Sequence, residues 1–362
     1  MPTDEKFWNP YRLIPVKENI VSDSPQTHES FKGKSGLISC TLKNLTPLFV
    51  GKNSLNEQLF LTRNGRHVIP GSSFKGMLRS LSEIIGGGCH VTDPRGQYSK
   101  SLAACHNAQK LCIACRMFGM MERGSHAKVH MGNVSIGDAL IREEKPQPLT
   151  LQVLLSSCGT RHEPFYRTPK TGRLDGKSRK FYFHQPQRTE SVPNIPENLQ
   201  SRAQNINALK PGHHFDFEVH FTNLNKEEIE LLIYTLVLEE NSQVEIGEEK
   251  VKLNGPLRHK IGHGKPLGLG SCHITINKIV YLTDSKQRFA SLQQSSDTVF
   301  EGESLKNEIS GLTRRYAGDN SEVMQQLRKM LIWDESDTRN FGYPDYYWFK
   351  NPVNSQKILK NI

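Results

Sequence analysis

Four cysteines, Cys89, Cys105, Cys112 and Cys115, fall within 27 positions, and the last two form a C-x-x-C. Thiolates at this density suit a closed, tetrahedral zinc site, in which the metal supplies folding free energy to a segment with little core of its own. Cys105, Cys112 and Cys115 are assigned as three of the ligands. The fourth is Cys89 or His90, the softer sulfur being preferred, with His106 in reserve. A thioredoxin-like redox pair is the rival for a C-x-x-C, but the sequence gives no helix start after Cys115 and further thiols lie nearby. The chain has seven cysteines, an odd number, which in a reducing compartment favours metal over disulfides.

A second set of residues suits phosphate. In residues 69–81, Pro70 and Gly71 break what precedes them, and Ser72 or Ser73 can cap a helix whose apolar positions are Phe74, Met77, Leu78, Leu81, Ile84 and Ile85. Lys75 and Arg79 share another face of that helix. Serines, a helix N-terminus and two cations make a clamp for a phosphate backbone, and an ordinary amphipathic helix with solvated cations is the plainer alternative. Later in the chain Gly262, Gly264, Gly268 and Gly270 fall within nine residues, beside Arg258, Lys260, His263 and Lys265. Glycines let a backbone approach a ligand closely. This segment precedes a strand instead of opening a helix, so it is neither a Walker loop nor a dinucleotide fingerprint. A basic aromatic island, residues 179–184, offers Lys180 and His184 for phosphates and its rings for bases, or else is a strand whose rings are core.

These groups need a scaffold. Residues 1–35 mix aromatics with Pro, Ser and charge and read as an extended arm. The alternation Ile38, Cys40, Leu42 marks a half-buried strand, and the clamp helix follows it, ending at Gly86-Gly87-Gly88. Residues 89–118 are then an insertion, and 120–148 a hairpin insertion. Leu149–Ser156 is a candidate core strand, and 158–214 is a long basic loop. Phe215, Phe217, Val219 and Phe221 alternate as a strand. Asn225 and Glu228 then open a helix faced by Ile229, Leu232, Ile233 and Leu236, and Ile274, Ile276 and Ile279 give the last core strand. The order strand, helix, strand, taken twice, predicts an α+β protein with a ferredoxin-like (RNA-recognition-like) core over residues 36–282. Residues 283–362 add a helix near Glu322–Trp333 and an aromatic tail.

Lys plus Arg outnumber Asp plus Glu by 47 to 37, a net charge of +10, which favours a polyanionic partner. No apolar run approaches the length of a membrane span, and the first dozen residues lack a signal peptide's apolar core, so a cytoplasmic protein with no membrane partner is expected.

With these pieces in place the chain resembles the RAMP (repeat-associated mysterious protein) superfamily, and within it the backbone subunits of type III CRISPR effector complexes, closest to the III-D and III-E kind. The likeness rests on residues 69–79, the Cys112–Gly119 run, residues 179–184 and the glycines from Gly262 to Gly270. It implies a subunit that polymerises along CRISPR guide RNA, displays it to target RNA and contacts other subunits in antiviral defence. Ser72, Ser73, Lys75, Arg79, Lys180, His184, Lys260, Gly262, His263, Gly264, Lys265 and Gly268 would then bind RNA, and the 120–136 hairpin would be a thumb interrupting the guide–target duplex. Many such subunits cut target RNA with magnesium and an aspartate between the first strand and the clamp helix. Here Gly51 to Ile69 contains no aspartate, and Glu57 is the nearest acid, with Asp138 and Asp175 as further candidates. The expectation is therefore an RNA-binding subunit without its own cleavage, a metal-dependent endoribonuclease being the alternative. A guide-processing enzyme, with His67 or His263 as general base, is a third reading.

Overall fold

The structure, a computed structural model, describes residues 8–17, 20–52, 59–91, 100–122, 126–155, 162–167, 177–283, 297–344 and 346–358. It is a mixed α+β protein. The elements that position the site are, in chain order, β1 (Tyr11–Pro15), β2 (Lys34–Asn44), β3 (Arg66–Ile69), α1 (Gly71–Ile85), α2 (Ile113–Phe118), β4 (Val134–Ile136), β5 (Ala139–Ile141), β6 (Ser178–Tyr182), β7 (His214–Leu224), α3 (Lys226–Val237), β8 (His259–Lys260), β9 (Ser271–Tyr281), α4 (Gly302–Ala317) and α5 (Glu322–Leu331).

The main sheet runs β8-β9-β2-β7-β5-β3, with β4 also against β7, and these pairs are antiparallel. Its two faces follow from period-two sequence. Ile38, Cys40 and Leu42, Phe215, Phe217, Val219 and Phe221, and Ile274, Ile276 and Ile279 are all buried on one face. On the other face, Thr41 donates to Asp216, and Arg142 and Asn277 donate to Thr41. α1 and α3 lie side by side on the apolar face, where Phe74 stacks on Phe217 at 4.3 Å between ring centroids. α3 begins with the capping box read from the sequence: the Asn225 side chain accepts from the Glu228 N–H, and the Glu228 carboxylate accepts from the Asn225 N–H.

Two expected boundaries move. The candidate core strand Leu149–Ser156 lies outside the main sheet: Pro148–Val153 pairs with Gln204–Leu209 in a separate two-stranded sheet. β4 and β5, within the expected hairpin insertion, join the main sheet instead, pairing with β7. What remains of that insertion is a hairpin pairing Met120–Met121 with Val129–His130. The expected arm and C-terminal extension both contribute to the common core. β1 pairs with β6, and one continuous core contains Ile14, Phe74, Phe215, Met324, Leu327 and Phe341. Among the described residues no helix is long and apolar enough to cross a membrane.

Candidate metal centre and nucleic-acid groove

The insertion closes where Leu111–Cys112 pairs with Ser22–Asp23 and α2 starts between the two cysteines of the C-x-x-C. The sequence hid this helix start inside the motif. The sulfurs of Cys89, Cys105, Cys112 and Cys115 all lie within 4.8 Å of one another, and those of Cys89 and Cys115 are 3.5 Å apart. Backbone N–H groups point at sulfur: Cys105 N to Cys89 Sγ at 3.4 Å, Cys112 N to Cys105 Sγ at 3.4 Å and Cys89 N to Cys112 Sγ at 3.5 Å. Around a tetrahedral zinc with bonds of about 2.3 Å, sulfurs stand about 3.8 Å apart. Spacing, donor type and the N–H groups therefore fit a metal ion such as zinc, held by four cysteines with no open position for catalysis. The alternative ligands lie outside the cluster. His106 is exposed, and the backbone N–H of buried His90 donates to Leu102 O at 2.7 Å.

Arg79 does not face the groove where phosphate was expected. Its guanidinium donates to Glu83 at 3.0 Å, to Gly119 O at 2.9 Å and to Cys115 Sγ at 3.2 Å. Burial opposes its charge, yet Cys115 and Glu83 hold its pKa above the ordinary arginine value. Glu83 is itself buried and also receives Arg179 from β6. On the far side of α2, Arg116 Nε donates to Glu228 Oε1 at 2.7 Å, with both side chains buried.

α1 has Pro70 as its N-cap and no side-chain cap; the Asp138 carboxylate instead accepts from Gly71 N at 2.9 Å and pairs with Arg63. That engagement gives Asp138 a structural place. It also spares the serines from capping. Ser72, Ser73, Gly76 and Ser80 line a groove with Gly51 on one side, and Lys180, Phe181, Tyr182, His259, Lys260, Gly262, His263 and Lys265 on the others. Among the described residues no acid lines it. Of the residues expected to bind RNA, Ser72, Ser73, Lys180, Lys260, Gly262, His263 and Lys265 thus meet in one place.

The glycine-rich loop is held from beneath. His263 N donates to Phe49 O at 2.9 Å and Gly270 N to Pro47 O at 2.9 Å. Gly262 has φ +83° and a Cβ there would stand 2.5 Å from Phe49 O, so only glycine permits this approach. Lys260 Nζ donates to Leu269 O at 3.0 Å from inside the loop, and burial lowers its pKa to about 7. Lys180 Nζ lies 3.6 Å from the centre of the Tyr11 ring and donates to the Tyr166 hydroxyl at 3.3 Å.

Other residues expected at the RNA lie elsewhere. His184 is buried, bonded to Ser271 Oγ at 2.9 Å and Arg258 O at 3.0 Å, because the chain turns inward once β6 ends. Lys75 is half-buried on α1 and does not line the groove. Gly264 and Gly268 shape the loop, Gly268 packing against Arg188 and Gln185. His67 packs on Phe60, with ring centroids 5.1 Å apart. Glu57 and Asp175 lie outside the described residues. Gly51, Ser80 and His259 join the groove without having been expected there; for Ser80 the available signal is Ser72, Gly76 and Ser80 recurring every four residues on one helix face.

His184 and His259 are wholly buried, and burial pushes both below the ordinary histidine pKa, His259 to about 4. Between about 4 and 6.5 the unfolded chain binds more protons than the folded one. The stability that neutral His259 contributes is therefore intact above pH 6.5 and lost as the pH falls towards 4, on the order of 3 kcal/mol. Urea midpoints measured from pH 7 to 4 are expected to fall less steeply in His259→Gln than in the unsubstituted protein.

A family model described as the RAMP superfamily matches residues 41–273, a span that contains α1, the four cysteines and most of the groove. No curated protein matches the chain.

Proposed function

The chain belongs to the RAMP superfamily, and from that premise we propose that it is an RNA-binding backbone subunit of a type III CRISPR effector complex, of the III-D or III-E kind, working in the cytoplasm. It holds guide RNA for pairing with target RNA and does not cut the target itself. The observation that carries this reading is the groove between α1 and the glycine-rich loop, which combines Lys180 and Lys265 with serine hydroxyls, open backbone and two aromatic rings, with no described acid. Such a surface holds a phosphate backbone without reading sequence, which is left to base pairing.

Two further features support the assignment. The order β9-β2-β7 followed by β4 and β5, all antiparallel with α1 and α3 on one face, is the arrangement expected of a ferredoxin-like core. The paired segments Met120–Met121 and Val129–His130 expose Met121 and Val129, with Met131 just beyond them, apolar groups suited to a thumb wedged between stacked bases. Zinc in the four-cysteine site completes the insertion typical of the III-D and III-E subunits.

Lys180→Ala plus Lys265→Ala is expected to weaken guide RNA binding at least tenfold. It should also flatten the dependence of log Kd on log salt by about 0.7 for each phosphate that is no longer neutralised. An unchanged affinity and slope would refute the groove. With a reconstituted complex, labelled target RNA and magnesium, the target is expected to stay whole; cuts that vanish in Glu57→Ala would replace this reading with the nuclease one.

A further inference from the structure

Arg79 sits on the helix that lines the groove, yet its bonds go to the cysteine cluster. Three donors of one guanidinium are committed: Nε to Glu83 Oε1 at 3.0 Å, Nη1 to Gly119 O at 2.9 Å and Nη2 to Cys115 Sγ at 3.2 Å. The acceptors differ in origin. Glu83 is one turn further along α1, Gly119 closes α2 and Cys115 is a ligand candidate on α2. Arg179 completes the arrangement from β6, binding Glu83 and also Cys89 O at 3.1 Å.

We propose that Arg79 is a positioning residue of the metal centre, which ties the metal's occupancy to the orientation of α1 and so to the groove. This rests on the reading of the four cysteines as a metal site. Four thiolates around a divalent cation leave two negative charges in a buried place, and such a centre needs cationic donors at sulfur. Arg79 supplies one directly. Its fork also fixes α1 about its own axis, since bonds to Gly119 O and Cys115 Sγ hold one face of the helix against α2. Ser72, Ser73, Gly76 and Ser80 lie on the face presented to the groove. Metal binding therefore steadies the groove without touching RNA, and Arg79 contributes to RNA affinity through the helix and not through a phosphate.

Arg79→Lys keeps the positive charge but loses the planar fork, and Arg79→Gln keeps a neutral donor. The test uses the full chain and two readouts. The first is metal affinity by chelator competition, with zinc and with cobalt(II), whose sulfur-to-metal absorption reports the thiolates themselves. Both variants are expected to lose 10- to 100-fold in affinity with a shifted cobalt spectrum. The second is guide RNA binding against salt: affinity falls, but the salt slope matches that of the unsubstituted protein, whereas loss of a phosphate partner would lower it by about 0.7. Unchanged metal affinity in variants of a protein that does bind metal overturns the inference, as does a lowered salt slope. Absence of zinc and cobalt binding in the unsubstituted protein overturns the metal reading itself, a result distinct from either.

Discussion

Replacing Cys112 and Cys115 together by serine is expected to abolish metal binding and free residues 103–110 from the body of the protein, while α2 and Leu102, which is buried in the main core, stay docked. The asymmetry comes from where the apolar side chains pack. The small cluster at the insertion consists of Cys89, Leu111, Cys112, Ala114 and Cys115, so three of its five buried members are the proposed ligands themselves. Ile113, Met117 and Phe118 face the main core instead. A structural zinc contributes on the order of 10 kcal/mol in small domains, far more than two or three buried side chains can replace. Limited proteolysis and hydrogen exchange are the measurements. Cleavage and fast exchange should appear within 103–110 in the variant and in chelator-treated protein alike. Protection equal to that of the untreated protein in both would sink the metal assignment.

Arg116→Ala is expected to cost about 3–5 kcal/mol of global stability, the usual penalty for stranding one member of a buried ion pair. Glu228 is only 1% exposed, and it serves two partners: Oε1 takes the Arg116 guanidinium at 2.7 Å and Oε2 closes the capping box at 3.0 Å. Removing the arginine leaves a carboxylate in apolar surroundings at the start of α3. It also strands Leu111 O, which accepts from Arg116 Nη1 at 3.1 Å. Urea denaturation should show the loss. Arg116→Met plus Glu228→Gln should recover a good part of it, since the amide still accepts at the cap and no charge is left alone. Equal midpoints for the single variant and the unsubstituted protein would mean that the pair does not secure the insertion to α3.

What the sequence makes legible is what is encoded locally. The alternation in β2, β7 and β9 and the N-x-x-E start of α3 each need only a few neighbouring residues, and the structure has all of them where the pattern puts them. β4 and β5 escape such reading, because each is three residues long, Gly137 and Asp138 interrupt them, and they are strands by virtue of lying against β7 and, for β5, β3 as well. The groove is legible in its glycines, serines and lysines, whose types suit phosphate wherever they lie. Arg79 misleads for a physical reason: at i+4 from Lys75 it shares a helix face, but the reach of a guanidinium is decided by acceptors that only the folded insertion provides. His184 misleads likewise, since nothing in residues 179–184 says that the chain turns inward at Phe183.

The central place of β2 has a consequence for the order in which the molecule is made. Among the described residues β2 pairs with β7 and β9 alone, so residues 34–44 await partners at 214–224 and 271–281. During synthesis both edges of that strand stay bare while nearly half of the chain emerges, a state prone to mispairing between nascent chains. The cysteines emerge long before β7, so a metal can organise the insertion early. Pairings this distant in sequence also make closure of the sheet a late and slow step.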